Sequence, residues 1–263
     1  MKFTIPDEIK SIIGDREYRI DEYGLSNSTV MMFDDMVLKI EKKCHQSNNE
    51  HRILKWLDGN LPAPEIICSM SEDDTNYLLM SKLDGKMLCD KGYLDNPELL
   101  TTILANGLKL LWNVDITECQ NANYLSFILR VAELRVENNL VDINNFEPTT
   151  LSENGFKDVY DLLKWLKNNA PDEELVFSHG DYCLPNVFAK DDKITGFIDF
   201  GRSRIADKWN DIALCYRSLE HNYRGDFGYA SHNDYNSDML FEKLGIKPQW
   251  DKIKYYILLD ELF

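Results

Sequence analysis

The hydrophobic periodicity of this 263-residue chain changes once, near residues 81–85, and that change limits the folds open to it. Before it, β-like runs recur at Tyr18 to Tyr23, Thr29 to Phe33, Met36 to Ile40, Glu65 to Ser69 and Tyr77 to Met80, between turn-rich pieces such as Asp34-Asp35 and SEDDT. Two helices are predicted among them, Pro6 to Ile13 stopped by Gly14, and Asn49 to Leu57 with Ile53, Leu54 and Leu57 on one face. After Ser81-Lys82-Leu83-Asp84-Gly85 the spacing becomes i, i+3, i+4. It predicts helices over Asn96 to Trp112, Leu125 to Asn138, Gly155 to Asn168, Asn210 to Leu219, Asp234 to Leu244 and Gln249 to Leu262. The expected fold class is α+β and bilobal. Residues 1–82 would form a small antiparallel-sheet lobe with one crossing helix, and residues 83–263 a larger, mostly helical lobe.

Between the later helices lies SHGDYCLPNVFAKDDKITGFIDFGRSR, from Ser178 to Arg204. Val187 to Ala189 and Ile194 to Ile198 read as the strands of a hairpin turning at Asp191-Asp192. The hairpin folds Asp199 back beside Asn186, and the preceding loop carries Asp181 to the same end. Phosphoryl transfer from a nucleotide needs that set: one Asp to accept the acceptor hydroxyl's proton, and an Asn with a second Asp to hold magnesium on the phosphates. Singly, each residue reads as turn chemistry; together, HGDxxxxN followed thirteen residues later by the Asp of IDFG is specific.

HGDYCLPN and GFIDFGRSRIADKWNDIALCYRS resemble the catalytic core of the aminoglycoside phosphotransferases, kinase-like enzymes of bacterial antibiotic resistance. Among them the 3'-phosphotransferases are most similar, on LGIKPQWDKIKYYILLDELF at the carboxy terminus and ILKWLDGNLPAPEI near the amino terminus. The resemblance covers most of the chain in several blocks that keep the family's order. It implies a protein-kinase-like fold, an ATP- and magnesium-dependent kinase, and phosphorylation of a kanamycin- or neomycin-type aminoglycoside, most simply at the 3'-hydroxyl.

On the nucleotide side, the resemblance assigns Lys39, at the end of MVLKI, to the α- and β-phosphates, with Glu50 of the next helix holding it. A lysine without such a carboxylate would swing into water. Ser26, in the loop from Gly24 to Ser28, would meet phosphate through its hydroxyl and backbone, and Met80, Ser81 and Leu83 would form the inter-lobe segment that reads the base edge. Val37 stands where the family carries an aromatic that stacks on adenine, which leaves ATP or GTP open. No G-x-x-x-x-G-K-[ST] occurs, so the chain is not a P-loop enzyme.

On the acceptor side, the resemblance implies Arg202, Asp260, Glu261 and Phe263, the last through a terminal α-carboxylate. Anions at a helix carboxy terminus oppose its macrodipole, an arrangement that makes sense if a polycation neutralises them. Two features depart from the family. Its acidic pair falls at His221-Asn222, with Glu220 and Asp226 nearby, and the stretch from Tyr223 to Asp238, which contains His232, is longer and more polar. Glu147 and Glu153 add acid near the antibiotic loop without individual assignment. His179 reads as a structural residue of the catalytic loop rather than a base.

Composition narrows the partners. The net charge of -16 disfavours nucleic acid and suits a polycationic ligand, although acidity alone also serves solubility. No apolar run approaches the roughly eighteen residues of a membrane span, and MKFTIPDEIKSIIGD lacks a signal peptide's apolar core. Six scattered cysteines without CxxC spacing predict cytosolic free thiols rather than zinc or disulfides. The expected protein is cytoplasmic, a monomer or weak dimer, without nucleic-acid or membrane partners. Two rivals stand beside this reading: another small-molecule kinase of the same fold, acting on choline, a sugar or a nucleoside-like metabolite, and a nucleotide-binding pseudokinase.

Overall fold

The computed structural model describes residues 4–21, 28–57, 59–117, 119, 125–152, 155–228 and 235–263. They fall into two units, Met1–Lys86 with Phe188–Arg202, and Met87–Val187 with Ser203–Phe263.

In the first unit, helix α1 (Asp7–Ile13) precedes strands β1 (Arg19–Ile20), β2 (Thr29–Met32) and β3 (Met36–Lys42), then helix α2 (His45–Leu57) and strands β4 (Ile66–Glu72) and β5 (Thr75–Ser81). The five strands form one antiparallel sheet in the order β1-β2-β3-β5-β4. Alternation along β3 explains its two faces: Met36, Leu38 and Ile40 are buried, while Val37, Lys39 and Glu41 point to the other side. The buried set packs with Phe33, Tyr77, Leu79 and Ile9 of α1. Each such side chain contributes about 1.5–3 kcal/mol when fully buried.

Several boundaries differ from the sequence reading for identifiable reasons. The α2 helix starts at His45 rather than Asn49, because its first turn is polar; Ser47 Oγ accepts the Cys44 N–H at 2.9 Å and ties that turn down. Strands β4 and β5 run further toward each other than expected, leaving a tight turn at Asp73-Asp74, with Asp73 at φ 47°. Asp tolerates that left-handed conformation. The predicted strand Tyr18 to Tyr23 is seen as Arg19–Ile20; Glu22 and Tyr23 lie outside the described residues.

After the short strand β6 (Lys86–Met87), the helices α3 (Lys91–Leu94), α4 (Pro97–Trp112), α5 (Leu125–Glu137) and α6 (Val159–Asn168) follow. Then come β7 (Leu175–Ser178), the hairpin strands β8 (Val187–Lys190) and β9 (Lys193–Phe197), β10 (Arg204–Asp207), and helices α7 (Lys208–Arg224), α8 (Met239–Leu244) and α9 (Trp250–Asp260). The hairpin turn does fall at Asp191-Asp192, with Asp191 at φ 55°. In the second unit α7 packs on α9, α4 on α8, and α5 on α6. Trp209, Ile212, Leu104, Leu166 and Tyr255 are among its fully buried side chains.

Caps set the second unit's helix ends. Asp158 accepts the N–H groups of Tyr160 and Asp161, so α6 opens at Val159 instead of Gly155. Asp207 caps α7 at one end and Gly225, at φ 90°, closes it at the other. That helix outruns the predicted Asn210 to Leu219 because its last turn is polar. The antiparallel pair β7–β10 went unpredicted: both strands are four residues long, and β10 buries Arg204 and Asp207 beside Ile205 and Ala206, so no alternation shows. The α8 helix opens at Met239, and the Asp234 proposed to start it lies outside the described residues. Among the described residues no helix is long and apolar enough to cross a membrane.

Candidate active site

The polar face of β3 carries the first constellation. Lys39 Nζ lies 2.7 Å from Glu50 Oε2 of α2 and 2.5 Å from Asp199 Oδ1, with Glu41 Oε1 at 3.9 Å. The lysine and Glu50 side chains are only 12% and 3% exposed. Burial alone would drive the ammonium to lose its proton, but Glu50, Asp199 and Glu41 outweigh it and hold the lysine's pKa above its ordinary value. A permanently charged, immobilised ammonium suits phosphate oxygens. The α2 helix is fixed against the turn Phe200–Arg202 by Asn49 Nδ2, which donates to the Gly201 carbonyl at 3.0 Å.

Asp199 itself sits at φ 65°, in the left-handed region between β9 and that turn. Aspartate is one of the few non-glycine residues that adopts this conformation readily, so the residue type suits the backbone that the turn requires. Its side chain is about half exposed, at 47%, so its carboxylate is open to solvent while anchoring Lys39.

Glu41 is the third acid on this lysine, and the sequence reading missed it. Burial pushes its carboxyl up to about 7, Lys39 opposing and the charges of Glu50 and Asp199 adding to the rise. A carboxyl raised from 4.5 to about 7 on folding contributes stability that is fully present below pH 4.5 and lost as pH rises through 7. We therefore expect Glu41→Gln to flatten the decline of melting temperature between those pH values; an unchanged slope would show that Glu41 does not titrate there.

The second unit holds the loop from Ser178 to Asn186. Asn186, in the short 3-10 turn Leu184–Asn186, donates from Nδ2 to the Asp181 carbonyl at 2.9 Å and to Asp181 Oδ2 at 3.0 Å. The two residues singled out for base and metal roles are thus directly bonded. Spending the amide N–H groups on Asp181 turns the Asn186 carboxamide oxygen, the atom a hard cation takes, the other way.

Asp211 of α7, which sequence reasoning also missed, anchors the loop. Fully buried, it accepts the Ser178 hydroxyl at 3.0 Å and the backbone N–H groups of His179 at 2.8 Å and Gly180 at 2.9 Å. Gly180, at φ 80°, supplies the left-handed step just before Asp181. The available signal was an acid inside the apolar stretch WNDIALC, the kind of buried charge that persists only where it is hydrogen-bonded. Asp211→Ala strands three donors, so thermal unfolding should report a loss of about 3 kcal/mol or more; a near-neutral change would mean that the loop holds without it. His179 is fully buried edge-on to Tyr182, with ring centroids 6.2 Å apart, and its carbonyl accepts the Ser203 hydroxyl at 2.8 Å.

The other predicted residues divide between the units. Met80 and Ser81 end β5, where Ser81 pairs with Glu65 through its N–H, donated at 2.9 Å, and its hydroxyl, which accepts at 2.9 Å. Leu83 follows, half-buried, and Gly85 comes so close to the hairpin that a Cβ there would lie 2.2 Å from the Ala189 carbonyl oxygen. Arg202 ends the 3-10 turn after Asp199. Ser26 lies outside the described residues, as do Glu153 and His232.

Asp260, Glu261 and Phe263 close the second unit, and the protein already partners them. Asp260 is ion-paired with Arg217 of α7. Glu261 Oε1 accepts the Glu147 N–H and the Thr150 hydroxyl, each at 2.9 Å, and burial raises its pKa. Arg135 donates to the carbonyls of Leu262 at 2.7 Å and Phe263 at 2.9 Å. Internal cations therefore offset the unfavourable acidic end of α9 before any ligand arrives.

The chain matches the model of the phosphotransferase enzyme family APH over residues 17–244. It is 39% identical to an aminoglycoside 3'-phosphotransferase of Enterococcus faecalis, the match spanning 100% of this chain and 99% of that one. A Staphylococcus aureus enzyme of the same name is 38% identical, again over 100% and 99%. The crystal structure of aminoglycoside-3'-phosphotransferase of type VIII superposes with a TM-score of 0.81 at 22% identity, covering 98% of this chain and 97% of that one. A Streptomyces rimosus aminoglycoside phosphotransferase in complex with ADP and streptomycin gives 0.76 at 20% identity, over 97% and 95%. Those likenesses establish the α+β, kinase-like fold. With most of its length matched by the family model and full-length relatives near 40% identity, this chain belongs to the APH phosphotransferase enzyme family.

Proposed function

We propose that this chain is an aminoglycoside kinase that confers antibiotic resistance, transferring the γ-phosphoryl group of ATP to the acceptor's 3'-hydroxyl in a magnesium-dependent reaction. The observation that carries the reading is Lys39 fixed between Glu50 at 2.7 Å and Asp199 at 2.5 Å, in a chain similar along its whole length to enzymes bearing that name. In this reading Lys39 steadies the α- and β-phosphates, and Glu50 keeps it from swinging away. Asp181 orients the acceptor hydroxyl and takes its proton. Asn186 and Asp199 hold magnesium, which when bound neutralises charge on the phosphates. Two oxygen donors completed by phosphates and water suit that cation better than a closed protein cage.

Ser26, Met80, Ser81 and Leu83 are proposed nucleotide contacts within a nucleotide-binding lobe of residues 1–82. Arg202, Asp260, Glu261 and Phe263 are proposed acceptor contacts in the lobe of residues 83–263. ATP is the proposed donor, with GTP as the alternative that Val37 leaves room for. The reaction draws on cytoplasmic nucleotide and a small polycation, so a monomer or weak dimer without nucleic-acid or membrane partners suffices.

Mass and NMR analysis of the product formed from kanamycin, ATP and magnesium tests the reading. A gain of one phosphoryl group at the 3'-oxygen is expected. Turnover only with an uncharged sugar or choline would transfer the chain to a different acceptor class, and no turnover with any acceptor would make it a binding protein.

A further inference from the structure

Arg217, His221 and Arg224 lie at i, i+4 and i+7 on α7, one face of that helix, and each meets carboxylates of its own unit. Arg217 pairs with Asp260. Arg224 lies 2.6 Å from Asp226 Oδ2 and 4.0 Å from Glu147 Oε2. His221 stands between them, Nε2 2.5 Å from Glu147 Oε1 and Nδ1 3.2 Å from Asp226 Oδ2, with Phe227 stacked on its ring at 6.0 Å.

Glu147 is contiguous with the proposed acceptor acids, since its backbone N–H donates to Glu261 Oε1 at 2.9 Å. The Glu147 and His221 side chains remain 23% and 25% exposed, so the pair can be reached from solvent. The imidazole beside Glu147 Oε1 covers one side of that oxygen and already meets part of the carboxylate's hydrogen-bonding capacity, so an incoming ammonium competes with it there. Of the three basic groups His221 is the easiest to displace: each ring nitrogen makes at most a single hydrogen bond, whereas a guanidinium offers a rigid fork of N–H donors.

We propose that His221 is a specificity-determining residue, a built-in occupant of Glu147 and Asp226 with which an ammonium group of the acceptor competes. The inference rests on the aminoglycoside reading above. It follows that an acceptor whose amines reach Glu147 binds more weakly than the number of carboxylates suggests, while the nucleotide half of the reaction is indifferent to His221.

The test compares KM for kanamycin and for neomycin, KM for ATP, and kcat in wild type, His221→Ala, Glu147→Gln and the double variant. His221→Ala should lower KM for at least one of the two aminoglycosides about two- to fivefold, the scale of a partly exposed ion pair, without moving KM for ATP. The gain should vanish in the Glu147→Gln background, because the two residues act through one contact. Should the alanine variant fail to fold, His221→Asn, too short to keep the Glu147 contact, carries the same expectation. Unchanged or raised KM for both aminoglycosides, or the same gain with Glu147 replaced, overturns the proposal while leaving the kinase reading intact. Failure of the wild type to phosphorylate either aminoglycoside overturns both.

Discussion

Replacing Asp181 by alanine should lower turnover by about 10²–10⁴-fold while leaving nucleotide affinity nearly unchanged. The carboxylate is half-buried in a loop whose shape is fixed elsewhere, by Asp211 on the Ser178 hydroxyl and the His179 and Gly180 N–H groups and by Gly180 itself, so its removal should not collapse the site. What disappears is the acceptor for the hydroxyl proton and one of the two oxygens bonded by Asn186 Nδ2; the other, the Asp181 carbonyl at 2.9 Å, remains in every variant. Single-turnover kinetics and a nucleotide titration on the same sample separate the two effects. Equal losses of turnover and nucleotide binding would show that Asp181 supports structure rather than chemistry.

Asp199→Ala should abolish the part of nucleotide binding that depends on magnesium. Two consequences add here. The proposed metal site loses its only carboxylate, and Lys39 loses the partner at 2.5 Å that helps aim it. A third effect could confuse the result, because alanine is less at ease than aspartate at φ 65°. Asp199→Asn resolves that: asparagine tolerates the left-handed backbone, so a loss shared by both variants reports charge, and a loss confined to alanine reports strain. Titration calorimetry with and without magnesium is the measurement, and wild-type metal dependence in Asp199→Ala would remove this residue from the metal site.

Much of this architecture was legible because the residues that build it obey simple periodicities. The β-like run Met36 to Ile40 gave the strand that carries Lys39, and the runs Val187 to Ala189 and Ile194 to Ile198 about Asp191-Asp192 gave the hairpin. The failures share a cause. Polar helix turns at His45–Asn48 and Glu220–Arg224 carry no apolar rhythm, and β10 buries an arginine and an aspartate, so burial there cannot be read as hydrophobicity. Asp211, Arg217 and His221 were missed for a related reason: their partners lie far along the chain, and only folding brings Asp211 to Gly180, Arg217 to Asp260 or His221 to Glu147. Pairing within the fold also changes the meaning of the acidic carboxy terminus. Asp260 and Glu261 read as bare anions awaiting a polycation, yet Arg217, Thr150 and the Glu147 N–H already engage them.

The most direct test is a crystal structure with a non-hydrolysable ATP analogue, magnesium and kanamycin bound together. The kinase account predicts a shared magnesium ion within about 2.0–2.1 Å of the Asn186 carboxamide oxygen and an Asp199 carboxylate oxygen. It also predicts Lys39 Nζ on the α- and β-phosphates, and an Asp181 oxygen within about 2.6–3.2 Å of the 3'-hydroxyl. Asn186 and Asp199 turned away from a common cation, or Asp181 facing no acceptor hydroxyl, would contradict it.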